Sequence, residues 1–208
     1  MHLKTLYNAQ ATEGKIIEAL EWLEDSVTQK DIAVVFVAAH GYKERENYYI
    51  LPVEGDPNNL RRTAVDWRHY KDILGKLSTG KVLLYLDTCY SGKLAENLLT
   101  TRGASSIDNT EAIRELTSEE YGVVIMAAST GNELSQEHPD WGHGAFTKAL
   151  LEGFEGLADR NNNSIIHLQE LDSYVSERVK ELTKGKQHAK TNYSPSISIS
   201  RFPIFQLP

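Results

Sequence analysis

The stretch Lys81-Val82-Leu83-Leu84-Tyr85-Leu86-Asp87-Thr88-Cys89-Tyr90-Ser91-Gly92 decides how this chain is read. Residues 82–86 are apolar and aromatic without polar alternation, the pattern of a strand buried on both faces of a parallel sheet. The run breaks at Asp87. A carboxylate, a thiol and a Ser-Gly turn then arrive together at the carboxyl end of the strand, where open α/β sheets hold their ligands. Cys89 is the only cysteine in the sequence, so it can form neither an internal disulfide nor a multi-cysteine metal site. It is either a buried inert thiol or a nucleophile.

A nucleophile needs a base, and a second apolar run supplies one in a matching setting. Asp31-Ile32-Ala33-Val34-Val35-Phe36-Val37-Ala38-Ala39 leads into His40-Gly41. If the two runs are neighbouring parallel strands, His40 and Cys89 share one edge of the sheet. Other chemistry for the thiol fails residue by residue. A phosphate-loop phosphatase needs Arg six residues after the Cys, where Ala95 stands, and a redox pair needs a second Cys. Gly92-Lys93 is followed by Leu94 instead of the Ser or Thr of a nucleotide P-loop. Either His40 or Cys89 alone reads as an ordinary core residue; the two together at strand ends, flanked by Gly41 and Asp87, point to catalysis.

On these residues the chain resembles the caspase-like cysteine peptidases, more closely the metacaspase and bacterial branch than the animal caspases. Phe36-Val37-Ala38-Ala39-His40-Gly41, then Tyr49-Ile50-Leu51-Pro52 with Asp56, then Asp87-Thr88-Cys89-Tyr90-Ser91-Gly92 follow the family's order, with the His about 50 residues before the Cys. Ala127-Ala128-Ser129 and His143-Gly144-Ala145-Phe146-Thr147-Lys148-Ala149-Leu150 resemble its small-subunit half. The resemblance implies an α/β fold, a three-layer sandwich whose mostly parallel central sheet carries helices on both faces. Residues 1–208 then form one peptidase domain: a large-subunit-like half at 1–99, a linker at 100–120 and a small-subunit-like half at 121–208.

The same resemblance implies a Cys89–His40 dyad, with the backbone N–H groups of Gly41 and Cys89 as oxyanion hole. Asp87 stands where animal caspases have Gln and where the metacaspase-like pattern places a carboxylate that binds Arg or Lys at P1. A buried carboxylate is costly unless paired, so a cationic side chain is its natural complement. The plainer reading is a carboxylate that caps the following turn. Ala38 replaces the pocket Ser of some metacaspases. The linker carries Arg102 before Gly103-Ala104-Ser105-Ser106, a site for self-cleavage after a basic residue.

Composition is consistent with this picture. The 208 residues are 40% hydrophobic and 25% charged, with a formal net charge of −7. That balance suits one globular domain and offers no basic stripe for nucleic acid. No stretch is long and apolar enough for a membrane span, and a single cysteine suits a reducing, cytoplasmic setting. The expected partner is a peptide or protein substrate with a basic P1 residue, and no cofactor is required.

Local patterns fill in the elements. Residues 2–7 read as a strand, and Thr12 caps an amphipathic helix through Ile16, Ile17, Leu20 and Leu23. Residues 42–51 read as a hairpin, 52–62 as loop, 66–77 as a crossover helix, 93–99 as a helix, 122–128 as a third buried strand, and 145–154 and 168–182 as helices. Residues 129–144, with Trp141, read as an irregular segment of the substrate groove. Residues 196–207 alternate at period two as a closing strand, with Pro203 marking an edge or bulge. Asp159, Asn161, Asn163 and Glu170 occupy positions one, three, five and twelve of a calcium-loop pattern that has Ser164 instead of Gly at six. An Asx-rich turn and a low-affinity Ca2+ loop are the two readings. The family's usual first strand and helix do not precede residue 2; a truncated start, a partner chain completing the sheet edge and a smaller sheet remain open. A catalytically silent peptide- or partner-binding module is the rival function; a nucleotide- or flavin-binding domain lacks its glycine-rich loop.

Overall fold

The computed structural model describes residues 1–44, 47–89, 122–129, 133, 135–193 and 197–208. Strand β4 (Val82–Cys89) runs through the middle of the sheet, parallel to β1 (Ala33–Glu44) on one side and to β5 (Val123–Ala127) on the other. Antiparallel strands extend both edges: β2 (Asn47–Leu51) and β3 (Val65–Asp66) beyond β1, and β7 (Lys190–Tyr193) beyond β5. Among the described residues the sheet is six-stranded, ordered β3-β2-β1-β4-β5-β7. A separate pair joins β6 (Ile165–His167) to β8 (Pro203–Gln206).

Alternation along β4 builds the two cores. Val82, Leu84 and Leu86 pack with Val35, Val37 and Ala39 against helices α1 (Glu13–Ser26) and α3 (Trp67–Lys76). A one-turn helix, α2 (Leu60–Thr63), precedes β3. Leu83 and Tyr85 face the opposite way, onto Phe146, Ala149 and Leu150 of α4 (Ala145–Glu152) and Leu168, Leu171, Val175 and Val179 of α5 (Leu168–Leu182). Helices therefore cover both faces of an α/β sheet whose centre is parallel, the three-layer architecture that the central strands imply.

Local signals placed several boundaries. Thr12 Oγ1 accepts the Lys15 N–H at the start of α1, and Asp66 Oδ1 accepts the Arg68 N–H, 2.9 Å away, at the start of α3. The hairpin expected at residues 42–51 is the β1–β2 pairing. The helix expected at 93–99 lies outside the described residues, as does the linker at 100–120.

Two expectations are corrected, and one strand was missed. Residues 2–7 form no strand: Leu3 is 73% exposed, while Lys4 stands over the Trp22 ring and its Nζ donates to the Glu18 carbonyl, so this stretch lies against α1. The tail does not close the main sheet. Ile197, Ile199, Phe202, Ile204 and Leu207 pack against the α4–α5 core, and only Pro203–Gln206 pairs, with β6, across a register shift. The edge is closed instead by β7, whose Lys-Thr-Asn-Tyr sequence has no apolar period to reveal it.

Candidate active site

The parallel register of β1 and β4 ends at His40 opposite Cys89, after Ala38 opposite Asp87 and Ala39 opposite Thr88. Neighbouring strands lie about 4.8 Å apart, so the backbones of His40 and Cys89 are immediate neighbours at the carboxyl edge. Ala33, Val35, Val37 and Ala39 turn to the α1–α3 core; His40 falls on the other face and is exposed. The register thus sets the backbones of a histidine and a cysteine side by side from two chain-distant strands.

Gly41 has a structural demand of its own. A Cβ there would stand 1.8 Å from the Tyr48 hydroxyl, which lies over this position and donates to Thr88 Oγ1 at 3.3 Å. Only a residue without a side chain lets Tyr48 cross β1 at this point. Burial raises the Tyr48 phenol to about 12, so the hydroxyl keeps its proton and remains a donor.

Asp87 is 7% exposed and stands on the α4 face. Its Oδ2 accepts the Thr147 hydroxyl, and the backbone N–H of Thr147 also favours the ionised carboxylate. Gly144, the N-cap residue of α4, offers no side chain of its own for capping. Asp87 supplies the missing acceptor from the strand that α4 packs against, at the helix end where anionic groups are favoured. Gly144 also leaves room for it, because a Cβ there would come within 2.9 Å of Asp87 Oδ2. Capping of α4 is therefore part of the role of Asp87; the turn that follows β4 lies outside the described residues. Its second oxygen, Oδ1, is buried and has no hydrogen-bond partner among the described residues. Burial pushes the Asp87 carboxyl above its ordinary range, opposed by the bonds to Thr147; Glu137 adds to the rise and His143 counters it.

The segment before α4 is held by residues that sequence patterns passed over. Gln187 is fully buried; its Nε2 donates to the Ala128 carbonyl at 2.7 Å and its Oε1 accepts the Gln136 N–H at 2.7 Å. His188 adds a backbone bond to Glu133 Oε2 at 2.7 Å and a ring contact to Oε1 at 2.8 Å. A bridge between Glu137 and Gly144 then closes the loop just ahead of α4. Trp141 lies beside His138 and lines a shallow cleft with Gln136, Thr183 and Lys184, whose lining includes neither His40 nor Asp87. No local signal marked Gln187 or Tyr48, since both act through polar contacts with residues distant in the chain.

The Asp159–Glu170 loop closes on itself. Asp159 accepts the N–H groups of Asn163 and Ser164, Asn163 accepts that of Ile165, and Asn161 donates to Glu170 at 2.6 Å. Ser164 takes the left-handed conformation, with φ of 63°. These are the bonds of an Asx-rich turn. Among the described residues no group of three or more His, Cys, Asp or Glu side chains is arranged to hold a metal ion, and no helix is long and apolar enough to cross a membrane. Arg102 lies outside the described residues.

The sheet, its two helical layers and the His40–Cys89 register define the class of protein, an α/β sandwich carrying a thiol and an imidazole at its carboxyl edge. The family model described as the caspase domain matches residues 3–198, and the chain belongs to that family of cysteine peptidases. No curated protein matches it. Among solved structures it is similar in fold to the protein GSU0716 from Geobacter sulfurreducens, with 17% identity, a TM-score of 0.64, and coverage of 99% of this chain and 83% of that one.

Proposed function

We propose that this caspase-domain protein is a cysteine endopeptidase of metacaspase-like specificity, cleaving after Arg or Lys through a Cys89–His40 dyad. The observation that carries the reading is the register pairing of His40 with Cys89 at the carboxyl edge of the sheet. Cys89 attacks the scissile carbonyl as the thiolate, forming a thioester as the peptide C–N bond breaks. His40 takes the thiol proton and passes it to the leaving amine; water then hydrolyses the thioester. The backbone N–H groups of Gly41 and Cys89 are the proposed oxyanion donors. Asp87, buried with one oxygen unpartnered among the described residues, supports a cationic P1 side chain.

A second reading, a catalytically silent module that binds a partner strand, is favoured by the edge of β1. Residues 33–39 pair with β4 on one side and, among the described residues, with no strand on the other. Val34 and Phe36 there are 51% and 48% exposed. A thiol-reactive peptide probe with Arg at P1, together with fluorogenic peptides bearing Arg, Lys or Asp, separates the two. The expected result is labelling of Cys89 and turnover of the basic substrates, both lost in Cys89→Ala and His40→Ala. Folded wild-type protein that neither labels nor turns over would leave the silent module; preference for Asp would remove the basic P1 assignment.

A further inference from the structure

We propose that Thr147 is a positioning residue of the substrate pocket: by engaging one carboxylate oxygen of Asp87 it presents the other, Oδ1, as the acceptor for the basic P1 side chain. The inference rests on the proposed role of Asp87 and extends it to a residue of the opposite half of the domain.

Three independent features of the site converge. The Thr147 hydroxyl donates to Oδ2, which fixes the rotation of the carboxylate from α4, a rigid element packed through Phe146, Ala149 and Leu150 into the core. Gly144 lets that oxygen approach the helix end, since an added Cβ would sit 2.9 Å from it. Oδ1 is left buried and, among the described residues, unpartnered, a state that a hydrogen-bonding cation relieves and that an apolar or anionic P1 group does not. A free carboxylate would rotate and divide its two oxygens among several poses; a held one offers a single acceptor in one direction. Ionised Asp87 is what binds the cation, and the Thr147 bonds favour that form. Among the described residues, the titratable groups near it are Glu137 and His143 from the loop before α4, and His40, two residues beyond its register partner Ala38.

The test uses full-length protein and peptides with Arg or Lys at P1, in Thr147→Val, Thr147→Ser, Gly144→Ala and Asp87→Asn variants. Thr147→Val is expected to raise KM about 10- to 100-fold, the worth of one hydrogen bond to a charged group, with kcat little changed. The acidic limb of its kcat/KM profile moves to higher pH, because loss of the donor makes Asp87 easier to protonate. Thr147→Ser restores both. Gly144→Ala, which displaces the same oxygen sterically, reproduces the KM rise and keeps the proposal testable if Thr147→Val does not fold. A Thr147→Val protein that loses only thermal stability, with KM and acidic limb unmoved, overturns the positioning role. If Asp87→Asn keeps its preference for basic P1, the pocket assignment itself fails; if Asp87→Asn loses that preference while Thr147→Val is silent, only the present inference falls.

Discussion

The hydroxyl of Tyr48 donates to Thr88 Oγ1 at 3.3 Å by crossing over Gly41, so β2 is tied to β4 across the strand between them. Gly41 adjoins His40, and Thr88 adjoins Cys89. One buried tyrosine therefore ties together the backbones that carry the proposed dyad. Tyr48 is also held edge-on against Trp67, with ring centroids 5.7 Å apart, which joins this brace to helix α3.

Gly41→Ala should consequently damage the protein more than loss of the hydrogen bond does. Tyr48→Phe removes one buried bond and is expected to cost about 1 kcal/mol. Gly41→Ala forces Tyr48 out of its place and should cost about 1–3 kcal/mol, with peptide turnover falling as the two strands shift. Combining the two changes gives little rescue, because the ring Cζ would still lie 2.6 Å from the added methyl. Urea unfolding of the three variants checks the order. A Gly41→Ala protein as stable as wild type would show that Tyr48 has room to move aside.

Asp87 sets stability against function. Burial raises its folded-state carboxyl above the ordinary range, so the native chain holds that proton more tightly than the unfolded chain does. Its contribution is fully present below the unfolded carboxylate value and is lost as pH rises through the folded one. Asp87→Asn, which still offers an oxygen to Thr147, should therefore gain stability relative to wild type as pH rises from about 4 towards neutrality, with the difference vanishing in acid. The same variant should lose turnover of basic substrates. Thermal unfolding across that pH range is the measurement; a variant destabilised equally at every pH would mean that the α4 cap outweighs the charge.

Gln187 is the third point of test. Its side chain satisfies Ala128 on one side and Gln136 on the other, at the two ends of the segment that leads from β5 towards α4. Gln187→Leu keeps most of the volume and leaves a buried carbonyl and a partly buried N–H without these partners. Each orphaned group costs about 1–3 kcal/mol, so a loss of about 2–6 kcal/mol is expected. Where the variant still folds, faster hydrogen exchange around 135–144 and a raised KM should accompany the loss. Unchanged exchange in that segment would show that Glu133 and His188 suffice to hold it.

The sequence by itself determined the central strands, the capped helices and the likeness of the His-Gly and Asp-x-Cys strand ends to caspases. Each of these is a local signal: an unbroken apolar run for β4, a helical period behind Thr12 for α1, and residue types within a few positions of one another. It also marked Asp87 as a carboxylate in need of a partner. Only the tertiary structure decided what that partner is on the protein side, since Thr147 lies 60 residues away and shares no period with it. The same holds for Tyr48 with Thr88 at a separation of 40 residues, and for Gln187 with Ala128 at 59. Polar β7 at the sheet edge escaped for a related reason, because an edge strand is held by backbone hydrogen bonds that any side chain permits. Apolar burial repeats along the chain and is legible from it, whereas a single hydrogen bond between distant elements exists only once the sheet and its helical layers have brought the two groups together.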